Sequence, residues 1–280
     1  MSDRIKIIGD SSTDMSEELS KRVKVTSVAL QIDLDGVTYV DNADLKLDDM
    51  LDNILASKSV AKTAAPSPQS YLDAMQGATE GVFIITLSSM LSGSHNSAVM
   101  AKELAKEQYP DLKVEVIDSR AASAAQTLLA FKLTEFIEQG LSFEEISEKI
   151  VQFRDNYHLY FLLDNLDTLV KNGRLSLLKG ALASFLHIKP ILGANSSGEI
   201  IMLDKKRTYP KALNRLAELF IEVSDQAERT LIIAECRAYD RAVKLKSILE
   251  ENANFKEIII VKMQGLSSTY ANVGGLVCSC

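Results

Sequence analysis

Residues 84–94 read IITLSSMLSGS: an apolar run gives way after Thr86 to a hydroxyl-rich turn, and Gly93 precedes a stretch of helical periodicity. Strand, polar turn, helix is the order of a βα unit, and repeated units of this kind build a sheet of parallel strands. The first half of the chain repeats it. Strand-like runs stand at 5–8, 25–32, 82–86 and 114–117, with helical stretches at 16–22, 47–57, 68–77, 93–108 and 121–139, the last closed by Gly140. After Ser142 the pattern changes to a helix ending near Asn156, a strand at 159–163 and a helical region stopped by Asn172-Gly173. Further strands are expected at 188–192, 199–203, 230–234 and 257–261, with helices at 211–223 and 241–251. The pattern predicts an α/β protein of two α/β domains, the first with a mainly parallel, doubly wound sheet. Residues 1–155 form that first domain, with the C-terminal residues 265–280 as a candidate addition to it, and 156–264 form a smaller one.

Composition narrows the function. Of 280 residues, 46% are hydrophobic and 25% charged, which suits a chain folded throughout. A net charge of −7 excludes general nucleic-acid binding, which needs a basic face to release counterions. Cys236, Cys278 and Cys280 form no disulfide framework and imply a reducing compartment. The N-terminus MSDRIKIIGD lacks a secretory pattern, and the most apolar stretch, 177–194, is interrupted by Lys179, Lys189 and Pro190. The expectation is a cytoplasmic protein without a metal site.

Ligands of doubly wound sheets gather at the carboxyl ends of the strands. Four polar turns are expected there: Asp10-Ser11-Ser12-Thr13-Asp14, the segment from Lys62 to Ser67, Ser88–Ser94, and Asp118-Ser119. Each has a modest reading, because Ser, Thr and Asp are the preferred N-caps; Thr13 or Asp14 suits the helix at 16–22, and Ser67 the one starting at Pro68. Four such turns on one sheet edge amount to more, since hydroxyls and helix-start N–H groups favour an anion and Gly93 lets the backbone approach it. Phosphate-loop, dinucleotide, zinc-protease and nucleophile-elbow patterns are absent from the sequence. A hydrolase or phosphotransferase using Ser88, Ser89 or Ser92 would need a base, and the histidines are His95, His158 and His187. An interaction or sensor protein with a closed cavity is the remaining class.

Six segments follow one another in register: Asp10-Ser11-Ser12-Thr13-Asp14, Thr63-x-x-Pro66-Ser67, Leu87-Ser88-Ser89-x-Leu91-Ser92-Gly93-Ser94, Val116-Ile117-Asp118-Ser119, Asn172-Gly173-Arg174-Leu175-Ser176 and Ile188-Lys189-Pro190-Ile191-Leu192. Together they span nearly the whole chain, and their order resembles the DegV family. The resemblance implies a non-catalytic bacterial protein that carries one long-chain fatty acid buried between its domains. It also implies presentation of the carboxylate to the catalytic subunit of a fatty acid kinase, transient membrane contact, and no cofactor beyond the acid.

Carried over by position, Thr63 and Ser92 hold the carboxylate, with Ser11, Thr13, Ser88, Ser89, Gly93, Asp118 and Ser119 in supporting loops. Arg174, Lys205, Lys206 and Arg207 match a partner surface. Two positions depart from the family pattern: Ala64 stands where a serine is expected, and Tyr270 where a histidine is, so a phenol hydroxyl is expected in the head-group site. Phe161, Phe185, Leu186, Ile188, Ile191 and Leu192 read equally well as tail cavity or ordinary core. Burying about fifteen methylene and methyl groups at ~0.8 kcal/mol each supplies on the order of 12 kcal/mol of gross driving force. An unpaired buried carboxylate would cancel much of that, so donors at its oxygens are required.

Overall fold

The computed structural model describes residues 4–178 and 188–280. The expected βα repeats fold into a parallel sheet in which β1 (Ile5–Asp10) is flanked by β2 (Thr26–Val28) and β6 (Gly81–Thr86), with β7 (Lys113–Asp118) beyond β6. Every residue of β6 is buried, as befits a continuous apolar run covered on both faces. One face carries α3 (Pro68–Ala74) and α4 (Ser94–Gln108), packed on Ile8, Val82 and Ile84. Against the other, through Ile7, Phe83 and Ile85, lie α5 (Ala124–Glu138) and α6 (Phe143–Asn156). The sheet is thus doubly wound.

Three expectations for this half are corrected. The run 25–32 is two strands: β2 leaves the parallel sheet after Val28, and β3 (Gln31–Leu34) pairs antiparallel with β4 (Val37–Val40) and β5 (Lys62–Ala64). Asp35 and Gly36 both have positive φ, the type I′ hairpin turn for which Asp-Gly is a strong local signal. Helix α2 (Leu47–Ala56) connects β4 to β5. The segment expected as a polar turn at 62–67 therefore begins as a strand, with Thr63 opposite Ile32. The helix α1 (Glu17–Arg22) is capped by Ser16, whose Oγ accepts from Leu19 N at 3.1 Å, leaving Thr13 and Asp14 free for other duties.

The second sheet has six strands. In spatial order they are β10 (Ile200–Lys206), β9 (Lys189–Ala194), β8 (Leu159–Leu162), β13 (Leu276–Ser279), β11 (Thr230–Glu235) and β12 (Glu257–Lys262). The C-terminal strand β13 thus lies inside this sheet, antiparallel to both neighbours, and does not join the first domain as expected. Residues 276–279 read LVCS, which has neither the alternation nor the β-branched run that marks a strand. The short helix α7 (Asp167–Lys171) follows β8, and α8 (Tyr209–Ile221) and α9 (Tyr239–Asn252) cover one face of the sheet. The other face receives α5, which also touches β1 and β6, so one helix serves both sheets. Ten of its fifteen residues are buried, which explains a helix apolar nearly all round. Among the described residues, no helix is long and apolar enough to cross a membrane.

Candidate functional site

The carboxyl ends of β1, β6 and β7 meet at Asp10, a buried carboxylate that accepts from Ser12 Oγ (2.7 Å), Leu87 N (2.7 Å), Gln126 Nε2 (2.9 Å) and Ser94 Oγ. These bonds hold the 87–94 turn against the first strand. Ser88 Oγ donates to Gly198 O at 2.9 Å and ties the same turn to the β9–β10 hairpin of the second domain. Ser89 is bound through its N–H and hydroxyl to Asp118, and Ser119 Oγ bonds its own loop at Ala121. Ser11 Oγ accepts from Leu30 N at 3.1 Å, while Thr13 Oγ1 accepts from Gln126 at 3.4 Å. Five of the expected supporting hydroxyls are thus spent on the scaffold. Gly93 caps α4 with helical dihedrals, and a Cβ there would sit 3.7 Å from that of Ala65, so the end of β5 abuts the serine turn.

A short helix missed in the sequence, α10 (Gly265–Ala271), completes the site. Asp41 accepts from Gly265 N and Leu266 N, both at 2.8 Å, and Asp14 from Gln264 N at 2.6 Å. Asp14 also accepts from Ser123 Oγ at 2.6 Å. Burial pushes the Asp14 carboxyl up to about 7, with nearby Asp41 adding to the effect and hydrogen bonds opposing it. Asp41 is raised as well, by burial first, against the bonds from α10. Held this way, α10 places the Tyr270 hydroxyl 2.8 Å from Thr63 Oγ1.

Between the two sheets runs an apolar cavity of about 100 Å³, and Thr63, Ser92 and Tyr270 all line it. Its apolar wall includes Leu30, Leu87, Leu163, Leu169, Leu266 and Phe161. Of the other tail-cavity candidates, Ile191 and Leu192 are core residues outside the lining, half-buried Ile188 does not line it either, and Phe185 and Leu186 lie outside the described residues. Leu91, Ser92 and Arg174 line both this cavity and an open groove beside His95 and Val99, so the cavity nears the surface there. Arg174, read from the sequence as partner surface, belongs to the cavity wall: its Nε donates to Leu91 O at 3.0 Å. On β10, Lys206 pairs with Asp204 at 3.1 Å, while Lys205 and, just past the strand, Arg207 are exposed.

Sequence reasoning missed Ser12, Ser123 and Ser267 as lining residues; Ser12 stood inside a quoted motif, but nothing local marked the other two. Among the described residues, no histidine is hydrogen-bonded to Ser88, Ser89 or Ser92. His95 Nδ1 bonds Thr86 Oγ1 at 3.1 Å, His158 Nδ1 bonds the Tyr160 hydroxyl at 3.3 Å, and His187 lies outside the described residues. Among the described residues, no group of three or more His, Cys, Asp or Glu side chains is placed to hold a metal.

Residues 4–278 match the family described as "Uncharacterised protein, DegV family". The chain is 36% identical over 274 residues to a DegV domain-containing protein of Streptococcus pneumoniae, with 97% of each chain covered. Its fold is similar to the crystal structure of a DegV family protein from Ruminococcus gnavus refined with vaccenic acid, with a TM-score of 0.94, 36% identity and 99% of each chain covered. It is similar also to the Streptococcus pneumoniae fatty acid kinase B3 protein loaded with linoleic acid, with a TM-score of 0.89, 35% identity, and 100% and 99% of the two chains covered.

Proposed function

The chain belongs to the DegV family, and on that premise we propose that it binds one long-chain fatty acid between its two domains and presents the carboxylate to a kinase subunit, in the cytoplasm. One observation carries the reading. The apolar cavity between the sheets bears the hydroxyls of Thr63, Ser92 and Tyr270, and it nears the surface at Ser92 beside the guanidinium of Arg174. Apolar walls supply the affinity for a tail, and the hydroxyls supply donors for the carboxylate oxygens. A cavity of about 100 Å³ is smaller than the ~300–1,000 Å³ of typical ligand sites, so loading requires the walls to part. An interdomain position allows that, because sheets can separate without breaking either one.

Ser92→Ala and Thr63→Val should each weaken fatty-acid binding by roughly 1.5–3 kcal/mol, the range for hydrogen bonds to a charged group, with the melting temperature little changed. Tyr270→Phe should cost less, about 1 kcal/mol, because a neutral phenol orients without supplying countercharge. Displacement of a fluorescent fatty acid measures all three. Unaltered affinity in all of them would leave the hydroxyls as turn-forming groups alone.

The partner reading is supported by exposed Lys205 and Arg207 at the end of β10. Lys205→Glu combined with Arg207→Glu should slow partner-dependent acyl phosphate formation and lower any contact with anionic vesicles, while lipid content stays the same. Loss of lipid from that variant would contradict a surface role.

A further inference from the structure

Ser267 differs from the other hydroxyls of the cavity wall. It lines the cavity at 7% exposure, and among the described residues its Oγ is the buried side-chain oxygen or nitrogen that makes no hydrogen bond. Native structures rarely leave a buried hydroxyl unpartnered, and each such group asks for an explanation. Two more buried serines, Ser12 and Ser123, line the same cavity. Their hydroxyl protons are committed, to Asp10 at 2.7 Å and to Asp14 at 2.6 Å. Each oxygen retains acceptor capacity; Ser267 Oγ faces the Asp14 carboxyl without meeting hydrogen-bond geometry to it, and so retains a donor as well.

The three serines come from the turn after β1, the turn before α5, and α10. Their chain segments are joined there: Ser123 N donates to Ser12 O at 3.1 Å, and Asp14 bridges Ser123 to the start of α10. Ser267 lies one helical turn before Tyr270, about 4.5 Å along the α10 axis. The cavity therefore carries a second polar station, distinct from the Thr63, Ser92 and Tyr270 group, in walls whose charged residues are Arg120 and Arg174. An unsubstituted acyl chain would leave that station unpaired. A chain hydroxyl would complete it, accepting from Ser267 and donating to a serine oxygen, and an oxo group could satisfy only the first of these.

We infer that the preferred ligand is a fatty acid bearing a hydroxyl group along its chain, read by Ser267 with Ser12 and Ser123. The inference rests on the fatty-acid reading above and specifies its ligand.

The test is competitive displacement of a fluorescent fatty acid by stearate and by 3-, 10- and 12-hydroxystearate, on the whole protein and on Ser267→Ala and Ser267→Thr. At least one positional isomer should bind about three- to tenfold tighter than stearate, the factor that one neutral hydrogen bond supplies. That advantage should vanish in Ser267→Ala, where stearate still binds, and persist in Ser267→Thr, which keeps a hydroxyl. Stearate binding with no isomer preferred, or a preference that survives Ser267→Ala, overturns this inference and leaves the fatty-acid reading standing. The inference falls in the same way if no isomer is preferred and Ser267→Ala instead alters the pH dependence of stability, since the hydroxyl then serves Asp14. Failure of every acid to bind overturns both.

Discussion

Ala122→Phe is expected to lower fatty-acid affinity by more than two orders of magnitude while the protein still folds. Ala122 is half-buried, lines the cavity and packs with Leu30, Leu87, Leu266 and Tyr270. A phenyl ring there takes the space of about four methylenes, whose lost burial at ~0.8 kcal/mol each forfeits about 3 kcal/mol, a factor of more than 100 in Kd. The cavity has little slack to absorb the ring, being only about 100 Å³. Far-ultraviolet circular dichroism and a melting curve report the fold, and fluorescent-ligand titration reports the affinity. Ala194→Phe, at the end of β9, repeats the test from the second domain if the first variant is unstable. Normal affinity in a folded variant would put the chain somewhere else in the molecule.

The stability of Asp14→Asn relative to the parent protein should rise with pH, by on the order of 4 kcal/mol between pH 4 and pH 8. The sign follows from proton counts. The Asp14 carboxyl is held near 7 in the folded protein against an ordinary value of 3.8. Between those pH values the native state keeps a proton that the unfolded chain has lost, so stability falls as pH rises from about 4 to about 7 and stays lower beyond. An amide cannot ionise, and the variant escapes that loss.

The groups facing Asp14 are Asp41, Ser123, Ser267 and the Gln264 amide, so no cation among them offsets its charge. Elsewhere the trend reverses: Arg22 holds Glu257, and Arg237 holds Asp48, below the usual carboxylate range, which favours the fold at higher pH. The difference between the two proteins, measured by urea unfolding from pH 4 to 8, isolates Asp14. A difference that does not change with pH would mean that Asp14 is ionised throughout.

Much of this architecture was legible because periodicity is local. The parallel strands and their serine turns could be read from runs such as IITLSSMLSGS, and Ser67 caps the helix that the sequence assigns to it. Failures came where the decisive partner is remote. Asp41 and Asp14 hold the start of α10 across 224 and 250 positions of chain, and neither end carries a local sign of the other. The Asp35-Gly36 hairpin was marked by its dipeptide, yet the longer apolar run before it suggested one uninterrupted strand. Thr63 could be placed at the site only through the family motif. That it rides on a strand edge, within hydrogen-bond reach of Tyr270, depends on a sheet formed by residues 31–64 and on the packing of a helix 207 positions later.

Function rested on a similar division. Hydroxyls at strand ends announced an anion, but only the fold separates those that line the cavity, such as Ser92, from those consumed by the scaffold, such as Ser11 and Ser119. Arg174 shows the same limit. The family resemblance put it on a partner surface, and the fold sets it in the wall beside Ser92 and at the edge of the open groove.

The central claim is that the cavity between the two sheets holds a fatty acid, and the most direct measurement is mass spectrometry of the protein purified from cells, first intact under native conditions and then after organic extraction. Close to one equivalent of a long-chain acid per chain is expected, because a buried tail with gross driving force on the order of 12 kcal/mol should survive aqueous purification. A native mass equal to the bare polypeptide, an extract free of fatty acid, and no uptake of added oleate or palmitate would together contradict it.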